Sequence, residues 1–314
     1  MTKQPQRPGL FVLGSFVQAL CLRVPALPGR GESLTAEALD AGPGGKGFNL
    51  AVGARRLGAA VETLIAVGAD AGGDWAAALL REEGIPTRHL LRLDAPTGQG
   101  VGLIDPRGDN CIAVYPGANA LLEPAHVEAA AAAIAGAGLV CAQFECPHPP
   151  IVAAFALARR HGVPTLLNAA PYRPLGAELL ALTDILVLNA SEAACWLGLA
   201  PERLDGAVAV AAQLRGAVQA MPRQVVITLG AQGCVARDAG GDILRQPAFA
   251  VEVADSTGAG DAFCAGLATG LVRGQTLAQS LRLAGACGAL ACTRLGVLPA
   301  LPDARAVQRL LETV

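Results

Sequence analysis

The run from Asp255 to Leu267, DSTGAGDAFCAGL, sets a carboxylate and two glycines where a helical pattern begins. Gly258 and Gly260 let a backbone come close to a ligand, and the amides of residues 258 to 261 would face whatever sits at the helix N-terminus. Unsatisfied amides and the helix dipole favour an anion there. Asp261 lies in the same turn. Its charge repels phosphate, so a loop that only held an anion would gain nothing from it. An anion hole beside a base is what phosphoryl transfer to a hydroxyl requires.

A second cluster is Gly42-Pro-Gly44-Gly45-Lys46-Gly47-Phe-Asn49. Gly42, Gly44 and Gly47 spell GxGxxG, and Glu62 follows 20 residues after Gly42, which imitates a dinucleotide fingerprint. The context is wrong for one: the preceding segment alternates, and Glu62 comes before its strand rather than at the strand's C-terminal end. A Walker A loop fails too, because Gly47 follows Lys46. Close backbone approach at Gly44 and Gly45, with donors and acceptors from Lys46 and Asn49, suits a polyhydroxylated ligand. A plain helix start after a tight turn is the alternative. Asn189-Ala-Ser-Glu192 reads either as a phosphate- and metal-facing turn or as a helix cap with a first-turn carboxylate. Glu145, just after a buried strand, reads as a ligand or as a solvated loop carboxylate.

These groups need a scaffold. Apolar runs at Leu10–Leu13, Thr63–Val67, Leu139–Gln143, Thr165–Leu167, Ile185–Leu188 and Val225–Leu229 predict buried parallel strands. Helical patterns lie between them at about 48–57, 73–83, 124–135, 151–161, 191–197 and 205–220, and then at 260–273, 277–292 and 303–311. This alternation predicts a mostly parallel sheet with helices on both faces. Glu32–Asp40 alternates instead, and Gly100–Tyr115 reads as a hairpin turning at DPRGDN. A small antiparallel sheet from these pieces would project as a lid or pair with another copy.

With 53% hydrophobic and 16% charged residues, the 314-residue chain can bury a large core. Net charge −2 and 4% aromatic residues argue against nucleic acid as a partner. The longest apolar stretch, residues 129–142, is too short to span a membrane and reads as helix then strand. MTKQPQRPG carries no signal-peptide core, so a cytoplasmic location is expected. None of the nine cysteines forms a CxxC pair, and buried small hydrophobes are the expected role.

Residues 44–59, GGKGFNLAVGARRLGA, and 255–270, DSTGAGDAFCAGLATG, closely resemble the two signatures of the ribokinase/phosphofructokinase-B family of carbohydrate kinases. Shorter matches follow in family order: Gly14-Ser15, Gly117-Ala-Asn119-Ala, Gln143-Phe-Glu145, Leu167-Asn168-Ala-Ala-Pro171, Asn189 to Glu192, Thr228-Leu-Gly230 to Gly233, and Thr293-Arg294-Leu-Gly296. The resemblance implies one three-layer α/β/α domain over residues 1–314, with a mostly parallel central sheet and a small antiparallel β lid from about 16–43 and 97–117. It implies an ATP-dependent kinase acting on a hydroxyl of a small sugar. Asp261 would be the base, with the amides of Gly258, Ala259 and Gly260 stabilising the moving phosphoryl group. Gly45, Lys46, Asn49 and Glu145 would hold the sugar. Asn189, Thr228, Gly230 and Gly233 would serve ATP, and Glu192 would act on Mg2+ through water. Backbone oxygens near Asp255, Thr257, Ala291, Arg294 and Gly296 would bind K+ or another monovalent cation. Lid pairing would make a homodimer.

One departure bears on the substrate. Where ribokinase places a sugar-gripping Asn and Asp after its opening Gly-Ser, this chain has Val17 and Ala19. Two buried hydroxyls without partners cost roughly 1–3 kcal/mol each. The expectation is an acceptor other than D-ribose, with an apolar part near Val17 and Ala19. A nucleoside kinase with Phe16, Phe48 and Val17 as a base platform is one alternative, and a non-catalytic sugar-binding protein is another.

Overall fold

A computed structural model describes residues 9–107, 110–216 and 222–313. Its strands are β1 (Leu10–Gly14), β2 (Val17–Arg23), β3 (Ala38–Gly44), β4 (Val61–Gly68), β5 (Leu90–Leu93), β6 (Gly98–Ile104), β7 (Asn110–Tyr115), β8 (Leu139–Gln143), β9 (Thr165–Asn168), β10 (Ile185–Asn189), β11 (Gln224–Thr228), β12 (Cys234–Arg237) and β13 (Ile243–Gln246). The large sheet runs β13-β12-β11-β10-β9-β8-β1-β4-β5. Its ladders are parallel from β11 to β5, and β12 and β13 close one edge as antiparallel strands. Strand order reverses between β8 and β1, the place where open α/β sheets leave a crevice at the C-terminal strand ends.

Every residue of β1 is buried, so its period-2 alternation feeds two cores rather than one core and solvent. Leu10 and Val12 join a cluster with Phe48, Val52, Leu267 and Leu281. Phe11 and Leu13 join another with Ile134, Ile151, Phe155 and Leu214. The helices carrying these partners form the two outer layers, as the alternation of elements predicts.

The small sheet runs β3-β2-β6-β7. Its outer ladders, β2–β3 and β6–β7, are antiparallel, while the middle pair β2–β6 is parallel. The parallel pair arises because the chain visits the main sheet between these strands and re-enters the lid from the same end.

The predicted strands and helices are present with small shifts at their ends. Residues 32–37 are not strand, and the lid strand begins only at Ala38. The 124–135 pattern is two helices, Pro124–Ala129 and Ala131–Ala135. Residues 217–220 of the 205–220 pattern, and 108–109 of the hairpin turn, fall outside the described residues. The short strands β5, β12 and β13 and the helix Ala177–Leu182 are too short to show a period and escape sequence reading.

Candidate active site

β1 ends at Gly14, and the helix Lys46–Arg56 begins beside it. A Cβ on Gly14 would lie 2.4 Å from the Cα of Gly47, so only paired glycines allow this contact. Gly45 holds φ 102° at the helix N-cap. The strand end and helix start therefore deliver Ser15, Lys46 and Asn49 to one place. The Lys46 amide donates to Glu145 Oε2 at 2.7 Å, and the Ser15 hydroxyl donates to the same oxygen. Glu145 thus spends one oxygen on positioning Lys46, and Ser15 is a supporting residue absent from the expected set.

The helix Ala259–Val272 presents Asp261, which is 7% exposed. Asn49 Nδ2 donates to Asp261 Oδ2 at 2.7 Å across 212 residues of sequence. Lys46 Nζ lies 3.7 Å from Asp261 Oδ1. The Asp261 charge, opposed by burial and helped by Glu145 and Glu192, raises the Lys46 pKa and keeps it protonated. Asn49 is buried, and its Oδ1 has no hydrogen-bond partner among the described residues. It is placed to accept from a ligand hydroxyl bound at Asp261. Gly258 sits at the N-cap with φ 80°, and Gly260 is in the first turn. The Ala259 amide donates to Ser256 O at 3.2 Å. Of the three expected amide donors, those of Gly258 and Gly260 are therefore the ones available to a phosphoryl group.

The C-terminal ends of β10 and β11 bring Asn189 and Thr228 into register as neighbours. Asn189 Oδ1 accepts from the Glu192 amide at 2.8 Å, and Glu192 Oε2 accepts from the Asn189 amide at 2.9 Å. The helix-cap reading is thus present in full, and Asn189 Oδ1 is committed to it, also accepting from Ser191. Burial nevertheless pushes the Glu192 pKa up, against the Asn189 hydrogen bond and the Lys46 charge. Glu192 therefore shares the field of the site through Lys46. Gly230 has φ 54° with open space where a Cβ would be, whereas a Cβ on Gly233 would meet Gln246 O at 2.0 Å. Gly230 is thus open to a ligand, and Gly233 has a structural reason of its own.

Two loops flank the phosphoryl turn. The amides of Ala254 and Asp255 donate to Cys292 O at 2.8 and 3.2 Å. The Asp255 carboxylate accepts from Thr257 N at 2.9 Å and Gly296 N at 3.2 Å. These bonds lace residues 254–257 to 292–296, which brings together the loops that carry Asp255, Thr257, Arg294 and Gly296 of the expected cation set, with Ala291 at the end of the preceding helix. Hard oxygen donors fit a monovalent cation. Among the described residues no group of three or more His, Cys, Asp or Glu could hold a metal by itself. One carboxylate, Glu192, fits a Mg2+ carried mainly by phosphates and water.

Other expectations come out differently. Phe16 and Phe48 are fully buried and pack edge-to-face at 5.2 Å, so they are core and not a base platform. Glu62 pairs with Arg88 and lines a cavity with Gly9 and Pro86 at the N-terminal ends of β1 and β4, the opposite end of the strands from Gly14, which removes the dinucleotide reading. All nine cysteines are free thiols. Asn119, fully buried, was missed as a site residue: its Oδ1 accepts from Phe16 N at 3.1 Å, and its Nδ2 donates to Phe16 O at 2.8 Å and Pro116 O at 2.9 Å. Its position in GANA was the available signal. No helix among the described residues is long and apolar enough to cross a membrane.

Comparison with known proteins agrees with this geometry. The ribokinase of Schizosaccharomyces pombe is 32% identical over 303 residues, covering 94% of this chain and 95% of that one. The ribokinase of Bacillus subtilis is 32% identical over 301 residues, covering 96% and 98%. The structure of Arabidopsis thaliana ribokinase complexed with ribose and ATP superposes with a TM-score of 0.89 at 28% identity, covering 98% of this chain and 99% of that one. Residues 8–304 match the pfkB family of carbohydrate kinases, and the chain belongs to that family.

Proposed function

We propose that this ATP-dependent carbohydrate kinase uses Asp261 to take the proton from an acceptor hydroxyl as that oxygen attacks the γ-phosphoryl group of ATP. The observation that carries this reading is the convergence of Asn49 and Lys46 on the two oxygens of one enclosed carboxylate at a helix N-terminus. Asn49 fixes Oδ2 by donation, so Oδ1 is the oxygen that meets the acceptor. Lys46 stands at Oδ1 and gives way to the hydroxyl, staying cationic beside the transferring group. The amides of Gly258 and Gly260 stabilise charge that develops there. Asn49 Oδ1 accepts from a second acceptor hydroxyl, and the rest of Glu145 faces the sugar. Gly230 and Thr228 line the nucleotide groove. Glu192 would hold Mg2+ through the ion's water shell, and the ion would supply neutralisation of the phosphate charge.

The laced loops at Asp255 and Gly296 support a monovalent-cation site, K+ in the first instance. The exposed lid residues Leu39, Ile112, Val114 and Tyr115 support a homodimer through the lid. Use of ATP supports a cytoplasmic location. Ribose stands as a plausible acceptor by likeness to the ribokinases, and a nucleoside-like acceptor is the alternative that apolar Val17 and Ala19 favour.

Asp261→Asn tests the central claim, with ADP release measured over a panel of sugars. Turnover should fall by about 10²–10⁴-fold, the usual worth of a positioned base, while ATP·Mg still raises the melting temperature. Retention of turnover within tenfold, on an acceptor the parent phosphorylates, would remove Asp261 from the role.

A further inference from the structure

The lid face over the cleft can be assigned from register. Val17 and Ala19 project on one side of β2, with Gly44, because a Cβ on Gly44 would lie 3.3 Å from Val17 and 3.7 Å from Ala19. Gln18 points to the other side, where a Cβ on Gly72 would meet its Oε1 at 2.5 Å. Cys21 shares the Val17 side, and its thiol pKa is raised by burial first and then by Asp40, against Arg23, with Asp255 adding to the rise. With Gln18 turned to the helix start at Gly72, the Val17 side is the one left to face the cleft, and β3 packs on the short helix Val297–Ala300, whose Val297 lies against Gly258 of the phosphoryl loop.

Ala19 pairs with Gly42 on one side and Gly100 on the other, so three neighbouring strands carry one methyl group between them. A Cβ on Gly42 or Gly100 would meet nothing within 4 Å, and neither residue has a positive φ. Glycine weakens a strand, and here neither the turn geometry nor the packing of the chain requires it. A strand glycine without an internal reason marks close approach by something else. The row spans two strand spacings, about 10 Å, which matches a flat ring system. Val17 and Val114 border it with apolar groups, and no side chain in the row can pair a hydroxyl. The independent sign of a ligand is Asn49 Oδ1, buried without a partner beside Asp261, on the helix into which β3 leads through Gly45.

Resting on the kinase reading above, we infer that the preferred acceptor is a sugar carrying a planar ring substituent: its hydroxyl end sits at Asn49 and Asp261, and its ring lies flat on the bare backbone of Gly42, Ala19 and Gly100. A free pentose fills the hydroxyl end only. The ring gains apolar contact that pentose hydroxyls cannot make against Val17 and Ala19.

The test compares kcat/KM of the full chain for D-ribose and 2-deoxy-D-ribose with that for adenosine, inosine and uridine, each with ATP·Mg. Ring-bearing acceptors should exceed the free pentoses by at least about tenfold. Gly100→Val places a branched side chain in the row and should raise KM for the ring-bearing acceptor by about 10–100-fold, and by at least about tenfold more than it raises KM for the free pentose. The double change Val17→Asn with Ala19→Asp should shift preference toward the free pentose. Ribose as the best acceptor overturns the inference and leaves the kinase reading intact. Turnover with none of the acceptors overturns both. Gly100→Val that alters the oligomeric state in sedimentation, with acceptor KM unchanged, overturns the inference by assigning the row to a second lid.

Discussion

Asn119→Ala should loosen the lid and so weaken acceptor binding without touching the nucleotide groove. One amide meets three of the chain's crossings between body and lid: Phe16 before β2, Pro116 after β7, and Gly98 at the start of β6, whose Cβ would lie 2.5 Å from Asn119 Nδ2. Alanine leaves Phe16 N, Phe16 O and Pro116 O without this partner. A buried group so orphaned costs about 1–3 kcal/mol, so three at the lower figure give roughly 3 kcal/mol, or about two orders of magnitude in an equilibrium constant. That cost is assigned to the closed lid, with water reaching these groups when the lid lifts. Acceptor KM should rise by up to about 100-fold, ATP KM should stay within twofold, and acceptor-free ATP hydrolysis should increase as water enters. Steady-state assays with each substrate varied, alongside melting curves, give the readout. Val307→Ala, a truncation on the C-terminal helix Ala304–Glu312 at a residue 2% exposed, controls for general loss of stability. The reasoning fails if Asn119→Ala lowers the melting temperature as Val307→Ala does and leaves acceptor KM unchanged, or raises both Michaelis constants equally.

Two further outcomes follow from the site. Gly260→Ala meets open space within a helix and should stabilise the fold by about 0.4–1 kcal/mol while lowering turnover, because its methyl enters the phosphoryl position. Gly258→Ala at φ 80°, with its Cβ 2.5 Å from Val297, should cost stability and turnover together; equal losses for both variants in melting and kinetic assays would remove the distinction. Glu192→Gln keeps the capping box, so any change in Mg2+ dependence isolates the charge. Burial raises the folded-state pKa of Glu192, so its contribution favours the fold at low pH and is lost as pH rises through that raised value. Without ligand, Glu192→Gln should therefore melt no lower than the parent at pH 8, lose this relative advantage as pH falls through the carboxylate range, and need more Mg2+ for half-maximal rate. An unchanged Mg2+ titration would leave Glu192 as a cap alone.

The glycine turn that carries Asp261 was legible as a helix start because its signals are local. Gly-x-Gly-Asp at a helix start needs only the backbone of its own turn, and buried parallel strands announce themselves as continuous apolar runs. The half-exposed edge strands β5 and β13 have no such run and were invisible. The amide of Ala259 looked free in sequence and is engaged by Ser256 O, since turn hydrogen bonds depend on coordinates that residue types do not specify. Phe16 and Phe48 looked available as a platform and are buried against each other, because a side chain's face depends on what packs above it.

By itself, the chain's sequence determined the kinase class and the layered α/β scaffold, and it named the candidate residues of the site. The tertiary structure alone decided how they meet. Strand order reversing between β8 and β1 sets Glu145 under Lys46 and carries Asn49 to Asp261. It also decided which lid face looks into the cleft, and hence that Ala19 lies between two unoccupied glycine positions. The physical reason is reach: helix starts and strand runs depend on neighbours a few residues away, whereas charge pairs and the shape of an acceptor pocket depend on contacts made only when distant strands take their order in the sheet.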